Sequence, residues 1–495
     1  MNNVLEDIKN DIEIRQNLIA LKNEIRDGLQ KKTLAYTLAG DFSVFTDLLE
    51  HPDPKVRKNA ALILGEMECD DLAELLWNAY QKEETLFIRA DYLKALSHLD
   101  CSDYVESMKQ ALERLMGKAV LPEEEKHVRQ ECTALKNILL TYDRPQKHKF
   151  IGNDRKLEVI LMTNRNHREV TRRQLGEIPV KYLAGGLRFT TEKLEDLWKI
   201  RTYSEMLFPL NGCSMLSGSP DHMAQQLLDG GIMRFLQELH AGHPPFYFRL
   251  ELKSPMRLEQ KADILKKLSI ALEKQSGRKL VNTTSGYEFE IRLVANREGG
   301  FVPLLKLYTI ADHRFAYRKN ALATSIAPVN AALIMQLAGE YLKEYAQVLD
   351  PFCGAGTMLI ERNRYGKVRS MYGLDILEEA VQYAWENTQA ARLEANYIQR
   401  DFFDFRHEYP FDEIVTNLPV VGKTRDIEQV SGMYERFFER APLILKPEAI
   451  IVAYTSLPDI LRRAAKKYKG YSLQQEYCLN DRDGSSVLIY RYQRG

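Results

Sequence analysis

Between Asp350 and Thr357 the chain reads Asp350-Pro351-Phe352-Cys353-Gly354-Ala355-Gly356-Thr357, directly after the apolar pair Val348-Leu349 and before a helical pattern that begins at Met358. Two glycines in a strand-to-helix turn let the main chain approach a ligand closely, and the first turn of the helix offers unpaired N–H groups. Asp375 follows Gly354 by 21 positions, at the end of the next β-like run, where a carboxylate can accept both hydroxyls of a ribose. Asp401 is a further acidic position. The turn has no Gly-Lys-Ser/Thr, which disfavours a triphosphate, and Leu359 stands where a dinucleotide turn has its third glycine. A nucleoside without a pyrophosphate satisfies this pattern, and S-adenosylmethionine is one.

Such a turn works only at the edge of a sheet, and the surrounding sequence supplies one. From about residue 320 helical and strand patterns alternate: 331–342 helical, 348–349 strand, 371–376 strand, 378–394 helix, 414–417 strand end, 431–445 helix and 449–454 strand. Alternation of this kind predicts a doubly wound, mostly parallel sheet over 320–495. The Asp481-Arg482-Asp483-Gly484 run predicts a hairpin turn between the last two strands. Upstream, 157–162, 246–252 and 287–294 read as strands and 258–275 as an amphipathic helix, a ferredoxin-like α+β region over 150–315. The polar residues at every second position of 287–294 predict one wet face. The first part, 1–145, is helical, with an Asp53-Pro54 helix start and an echo of Arg57 at Arg89 and Arg129, the spacing of stacked helical pairs of HEAT-like type. A linker is expected near 142–150.

The chain has 495 residues, with 69 Lys+Arg against 69 Asp+Glu, and the balance hides a division. Residues 1–148 hold 20 basic and 27 acidic side chains, 149–320 hold 28 and 19, and the remainder 21 and 23. The middle is the basic part, as a phosphate-binding surface requires. No membrane span or secretory signal is visible, and the six scattered cysteines carry no metal-ligand spacing. The expectation is a cytoplasmic protein with reduced thiols and no metal. His240 and His243 lie among Gly242, Pro244 and Pro245 without an acidic partner and read as a loop.

The run 350–357, with Leu359-Ile360-Glu361, resembles motif I of class I S-adenosylmethionine-dependent methyltransferases, in the form used by RNA methyltransferases with a THUMP domain. Gly185-Gly186-Leu187-Arg188-Phe189, the Leu197–Thr202 segment and the stretch from Leu280 to Arg292 resemble that group's ferredoxin-like and THUMP regions. Tyr317-Arg318-Lys319-Asn320 through Ala327-Pro328 resembles the start of its catalytic domain. The similarity covers about 150–495 and leaves out the helical first part. It implies a cofactor site of Asp350, Pro351, Cys353, Gly354, Gly356, Thr357, Asp375, Ile376, Asp401, Phe402 and Asn417, with Asp375 on the ribose, Asp401 near the adenine amino group and Phe402 beside the ring. Tyr317, Arg318 and Lys423 are the implied substrate-binding residues. The partner implied is RNA, tRNA in particular; the helical region is expected to bind a macromolecule, with a protein partner one candidate.

Thr416-Asn417-Leu418-Pro419-Val420 resembles the Asn-Pro-Pro-aromatic motif of enzymes that methylate exocyclic amines. An amine conjugated to a base is a poor nucleophile until its lone pair turns out of the ring. The Asn417 oxygen and the Leu418 carbonyl can accept its two N–H bonds and aim the lone pair at a methyl donor, while Pro419 stiffens the backbone. Those three are the expected catalytic residues, and guanosine N2 of tRNA the expected acceptor. Val420 departs from the family, which has Phe or Tyr there to stack on the flipped base, an interaction worth about 1–3 kcal/mol. Tyr434 could bring a ring from another direction, although core packing suits it better. Adenine N6 or a protein glutamine are alternative acceptors, and a non-catalytic RNA-binding scaffold retaining the pocket is the reading from another class.

Overall fold

The computed structural model describes residues 2–25, 28–117, 121, 123–142, 147–422 and 426–493. It divides into two compact units, Met1–Gln146 and Lys147–Gly495. Asp143, Arg144 and Pro145 of the expected linker lie outside the described residues.

The first unit is helical. Helix Pro54–Glu66 starts as expected: Asp53 caps it by accepting from the Lys55 N–H, and Pro54 occupies the first turn. Two of the echoed arginines, Arg57 and Arg89, make ion pairs with carboxylates from later in the unit. Arg57 makes a two-point pair with Glu83 at 2.8 and 2.9 Å, and Arg89 donates to the fully buried Glu131 at 2.8 Å. Glu131 also accepts from the Tyr80 hydroxyl at 2.6 Å.

The expected segments 150–315 and 320–495 lie together in the second unit, each built around its own sheet. A short ribbon pairs β1 (Lys149–Phe150) with β6 (His240–Ala241). The larger sheet contains β2 (Leu157–Thr163), β3 (Lys181–Leu183), β4 (Gly186–Thr191), β5 (Tyr203–Pro209), β7 (Phe246–Lys253), β8 (Leu280–Asn282), β9 (Phe289–Ala295) and β10 (Phe301–Leu307), in the order β3-β4-β2-β5-β10-β9-β7-β8. Antiparallel pairing of β10 with β5 fuses an early and a late group of strands into one sheet.

Two expectations fail here. The alternation in β9 does not give a wet face: Glu290 is fully buried and Arg292 is 7% exposed. Arg292 pairs with Glu205, Glu251 and Glu290, and Arg249 pairs with Glu290, so long side chains from β5 and β7 cover both. His240 is not in an open loop but buried in β6, its ring nitrogens 2.8 Å from the Leu236 carbonyl and 2.7 Å from the Thr309 hydroxyl.

The second sheet holds β11 (Gln347–Asp350), β12 (Ser370–Asp375), β13 (Asn396–Gln399), β14 (Phe411–Asn417), β15 (Leu445–Thr455), β16 (Tyr471–Asn480) and β17 (Ser485–Tyr492), in the order β13-β12-β11-β14-β15-β17-β16. The first five are parallel, and β17 runs antiparallel between β15 and β16, with the 481–484 turn closing the final hairpin. Because β11 is buried on both faces, its four residues are apolar or internally bonded, the pattern of a central parallel strand. From β11 the chain moves out to β12 and β13, then returns to the other side for β14. That reversal is a topological switch point, where sheets of this kind take ligands in the crevice beyond the carboxyl ends of the strands, here β11 and β14.

Candidate active site

Asp350, Asp375 and Asn417 are the last residues of β11, β12 and β14, and Asp401 lies two residues beyond β13. Three strand ends and a neighbouring loop thus present one amide and three carboxyl groups along one edge. Asp350 is 1% exposed. Its Oδ1 accepts from the Thr416 hydroxyl at 2.7 Å and from the Phe352 N–H at 3.1 Å, while Oδ2 is buried without a hydrogen-bond partner. Burial pushes its carboxyl up to about 7.

The turn that follows requires both glycines. Gly354 has φ 49° and Gly356 φ 79°, the left-handed region. A Cβ at Gly356 would sit 2.6 Å from the Tyr397 hydroxyl, whereas at Gly354 it would meet only Leu322, at 3.9 Å. Gly356 therefore answers to packing and Gly354 to open space. Asp375 grips this turn: Oδ2 accepts from Gly354 N–H and Oδ1 from Leu377 N–H, both at 3.0 Å. Helix Thr357–Tyr365 then begins with the buried Thr357, whose hydroxyl has no partner. Pro351 and Cys353 are buried beneath the turn, and Ile376 is 53% exposed beside Asp375. Asp401 is exposed and caps a short turn by accepting from Phe403 N–H at 2.9 Å.

Asn417 is oriented by a neighbour that the sequence reading missed. Its Nδ2 donates to the Thr324 carbonyl at 3.3 Å. A carbonyl can only accept, so the amide end facing Thr324 must be the NH2, and Oδ1 is the end left as an acceptor. The Leu418 side chain is buried and its N–H donates to the Tyr454 carbonyl, which leaves main-chain polarity as what Leu418 can offer a substrate. Pro419 is held through its carbonyl by the Tyr434 hydroxyl at 2.9 Å, which also meets Thr455 Oγ1 at 2.8 Å. Tyr434 is fully buried, so its ring packs in the core and its hydroxyl positions the loop. Asn387 was missed as well. Fully buried, it accepts from the N–H groups of Lys319 and Asn320 and donates to the carbonyls of Asn320 and Ala355, stapling the 319–320 segment to the glycine turn. Capping and stapling amides leave no periodic mark in a sequence.

Two expected contacts are corrected. Tyr317 is 4% exposed and donates to Glu361 at 2.7 Å, so it cannot present its side chain to a substrate. The Phe402 ring is 1% exposed and packs among Phe352, Phe403 and Phe437, so it does not lie beside a cofactor ring. Arg318 is half-buried, its Nε without a partner. Lys423 lies outside the described residues. Among the described residues no three His, Cys, Asp or Glu side chains converge as a metal site would need, and no helix is long and apolar enough to cross a membrane.

Known proteins share this architecture. Residues 316–477 match the family model described as UPF0020: RMKL-like, methyltransferase domain. An uncharacterized protein of Mycoplasma genitalium, MG259, is 34% identical over 91 residues, 18% of this chain, and the match spans only 20% of that protein's length. The crystal structure of TrmN from Thermus thermophilus aligns with a TM-score of 0.52 at 19% identity, over 68% of this chain and 99% of that one. SMU.472, solved as a complex with SAH, aligns at 0.53 and 15% identity, over 69% and 99%. A Listeria monocytogenes protein described as a predicted N6-adenine-specific DNA methylase aligns at 0.51 and 14%, over 69% and 97%. These alignments show a shared fold, and residues 316–477 match the model of a methyltransferase domain; the SAH complex is that of SMU.472.

Proposed function

We propose that the protein methylates an exocyclic amine of RNA, with guanosine N2 of tRNA as the acceptor. The observation that carries this reading is the fixed amide of Asn417, with Oδ1 as its free end. An acceptor amine can donate one N–H there and its second to the Leu418 main-chain carbonyl, which turns the lone pair out of the base plane. No strong base is required, because the nitrogen becomes acidic as the fourth bond forms. S-adenosylmethionine supplies the electrophilic methyl group.

The crevice residues suit that cofactor. The unpartnered Asp350 Oδ2 is an acceptor for its ammonium group, Thr357 Oγ1 a donor for its carboxylate, and Asp375 an acceptor for its ribose. The open side of Gly354 admits it close to the main chain. The RNA part of the reading is supported by the excess of basic over acidic side chains in 149–320, 28 against 19. Adenine N6 fits the same geometry, and the likeness to the Listeria protein together with Val420 keeps it as the second reading.

Nucleoside mass spectrometry of tRNA from cells with and without the protein tests activity and identifies the base. In vitro, Asn417→Ala is expected to lower methyl transfer about 100- to 1,000-fold, the scale of losing one pre-oriented polar partner, with SAH affinity retained. Undiminished transfer by that variant would refute the assignment.

A further inference from the structure

The three echoed arginines of the helical unit do not share one role. Arg57 and Arg89 are held by carboxylates, Glu83 and Glu131. Arg129, third in the same register, has no carboxylate partner among the described residues. It lines a groove of about 730 Å³ that crosses helices Pro54–Glu66, Leu86–Leu96 and Glu125–Tyr142. Lys58 and Lys94 line it too. The one acid in the groove, Asp91, is matched by Lys58 at 2.9 Å, so Lys94 and Arg129 leave it with a surplus of two positive charges. That surplus stands out because residues 1–148 carry seven more acidic than basic side chains.

The remaining lining narrows the occupant. Phe87 is 41% exposed and offers a ring at the groove wall, and Asn137 offers both a donor and an acceptor. Ala90 and Ala134 keep the floor low. Cations that track a backbone, an exposed ring that accepts a base face and an adaptable amide form the combination by which single strands are bound without sequence readout. An acidic peptide would use the cations but has no need of the ring. We propose that this groove binds a short single-stranded stretch of RNA through its phosphates. The proposal adds a second RNA contact to the function proposed above and rests on that reading only for the identity of the RNA.

The test uses the full chain and a double charge reversal, Lys94→Glu with Arg129→Glu, both outside the methyltransferase domain. Binding of a labelled eight-nucleotide oligouridylate is measured across a salt series, with SAH affinity and the thermal unfolding profile as controls. Loss of two phosphate contacts should weaken binding at low salt at least tenfold and reduce the slope of log affinity against log salt by about 1.4, at about 0.7 per phosphate for a single strand. Phe87→Ala should weaken binding while leaving that slope unchanged. Equal affinity and slope for the wild type and the double variant would overturn the proposal. So would a double variant that keeps the oligonucleotide but loses oligoglutamate, which would make the groove a protein-docking site. If the groove variants behave as expected while tRNA is never methylated, the proposed reaction fails and the groove stands.

Discussion

Asp350 holds a proton at a pH where an ordinary aspartate has lost it. Its folded value of about 7 lies above the ordinary 3.8 because burial disfavours the charged form. Between those two values the folded chain binds the proton and the unfolded chain does not. This residue's contribution to stability therefore declines as pH rises from about 3.8 to about 7 and levels off above. Cofactor binding should show the opposite trend, since an ammonium group pairs with the ionised carboxylate. We expect SAH affinity, followed by calorimetry between pH 6 and 8, to rise with pH by up to about tenfold per unit below 7. Asp350→Asn should bind more weakly at pH 8 and lose that dependence. A wild-type affinity that stays flat across this range would remove Asp350 from the ammonium site.

At the scale of elements, β14 and the loop after it depend on partners from distant stretches of chain. Tyr434, on helix Ile427–Arg440, holds the Pro419 carbonyl, and Thr324 holds Asn417. Tyr434→Phe keeps the ring and removes one hydroxyl whose hydrogen bonds are worth about 0.5–1.5 kcal/mol each. The methyl-transfer rate should fall by about 2- to 12-fold with SAH affinity unchanged, measured in single-turnover reactions. A weakened SAH affinity with an unchanged rate would mean that Tyr434 supports the crevice rather than the loop. The helix after the glycine turn is likewise fixed by consecutive residues: Glu361 pairs with Arg201, and the buried Arg362 pairs with Glu413 of β14 at 2.7 Å.

Across the second unit, that Arg201–Glu361 pair joins its two sheets. Arg201 precedes β5 of the eight-stranded sheet and makes two bonds to Glu361, at 2.6 and 2.9 Å. It also donates to the Arg314 carbonyl at 2.5 Å. Glu361 is 1% exposed, so Arg201→Ala would leave a buried carboxylate with only the Tyr317 hydroxyl among the described residues. Breaking such a pair from one side costs about 3–5 kcal/mol. Denaturant unfolding should show a lower midpoint for the transition of this unit, with Arg201→Lys falling between alanine and wild type. A midpoint equal to wild type would show that the contact adds nothing to its stability.

The parallel sheet, the glycine turn and the acidic positions after it could be read directly from residue order. Each is a local signature: Gly354 and Gly356 answer to backbone conformation, and the apolar runs at 348–349 and 449–454 answer to burial between helices. The sequence likewise marked Asn417-Leu418-Pro419 as the loop expected to bear the chemistry, because residue type alone tells which groups can accept an N–H. Only the tertiary structure decided which of the marked residues face the crevice. Tyr317 turned inward because Glu361 and Arg201 stand there to receive it, and Phe402 joined a cluster of rings contributed by segments up to 50 residues away. Thr324 and Asn387 were invisible for the same reason, and Tyr434, whose core packing could be read, gave no sign that its hydroxyl holds Pro419. Their roles rest on hydrogen bonds to residues 15 to 93 positions away, and no periodicity records a contact made only once the chain has folded.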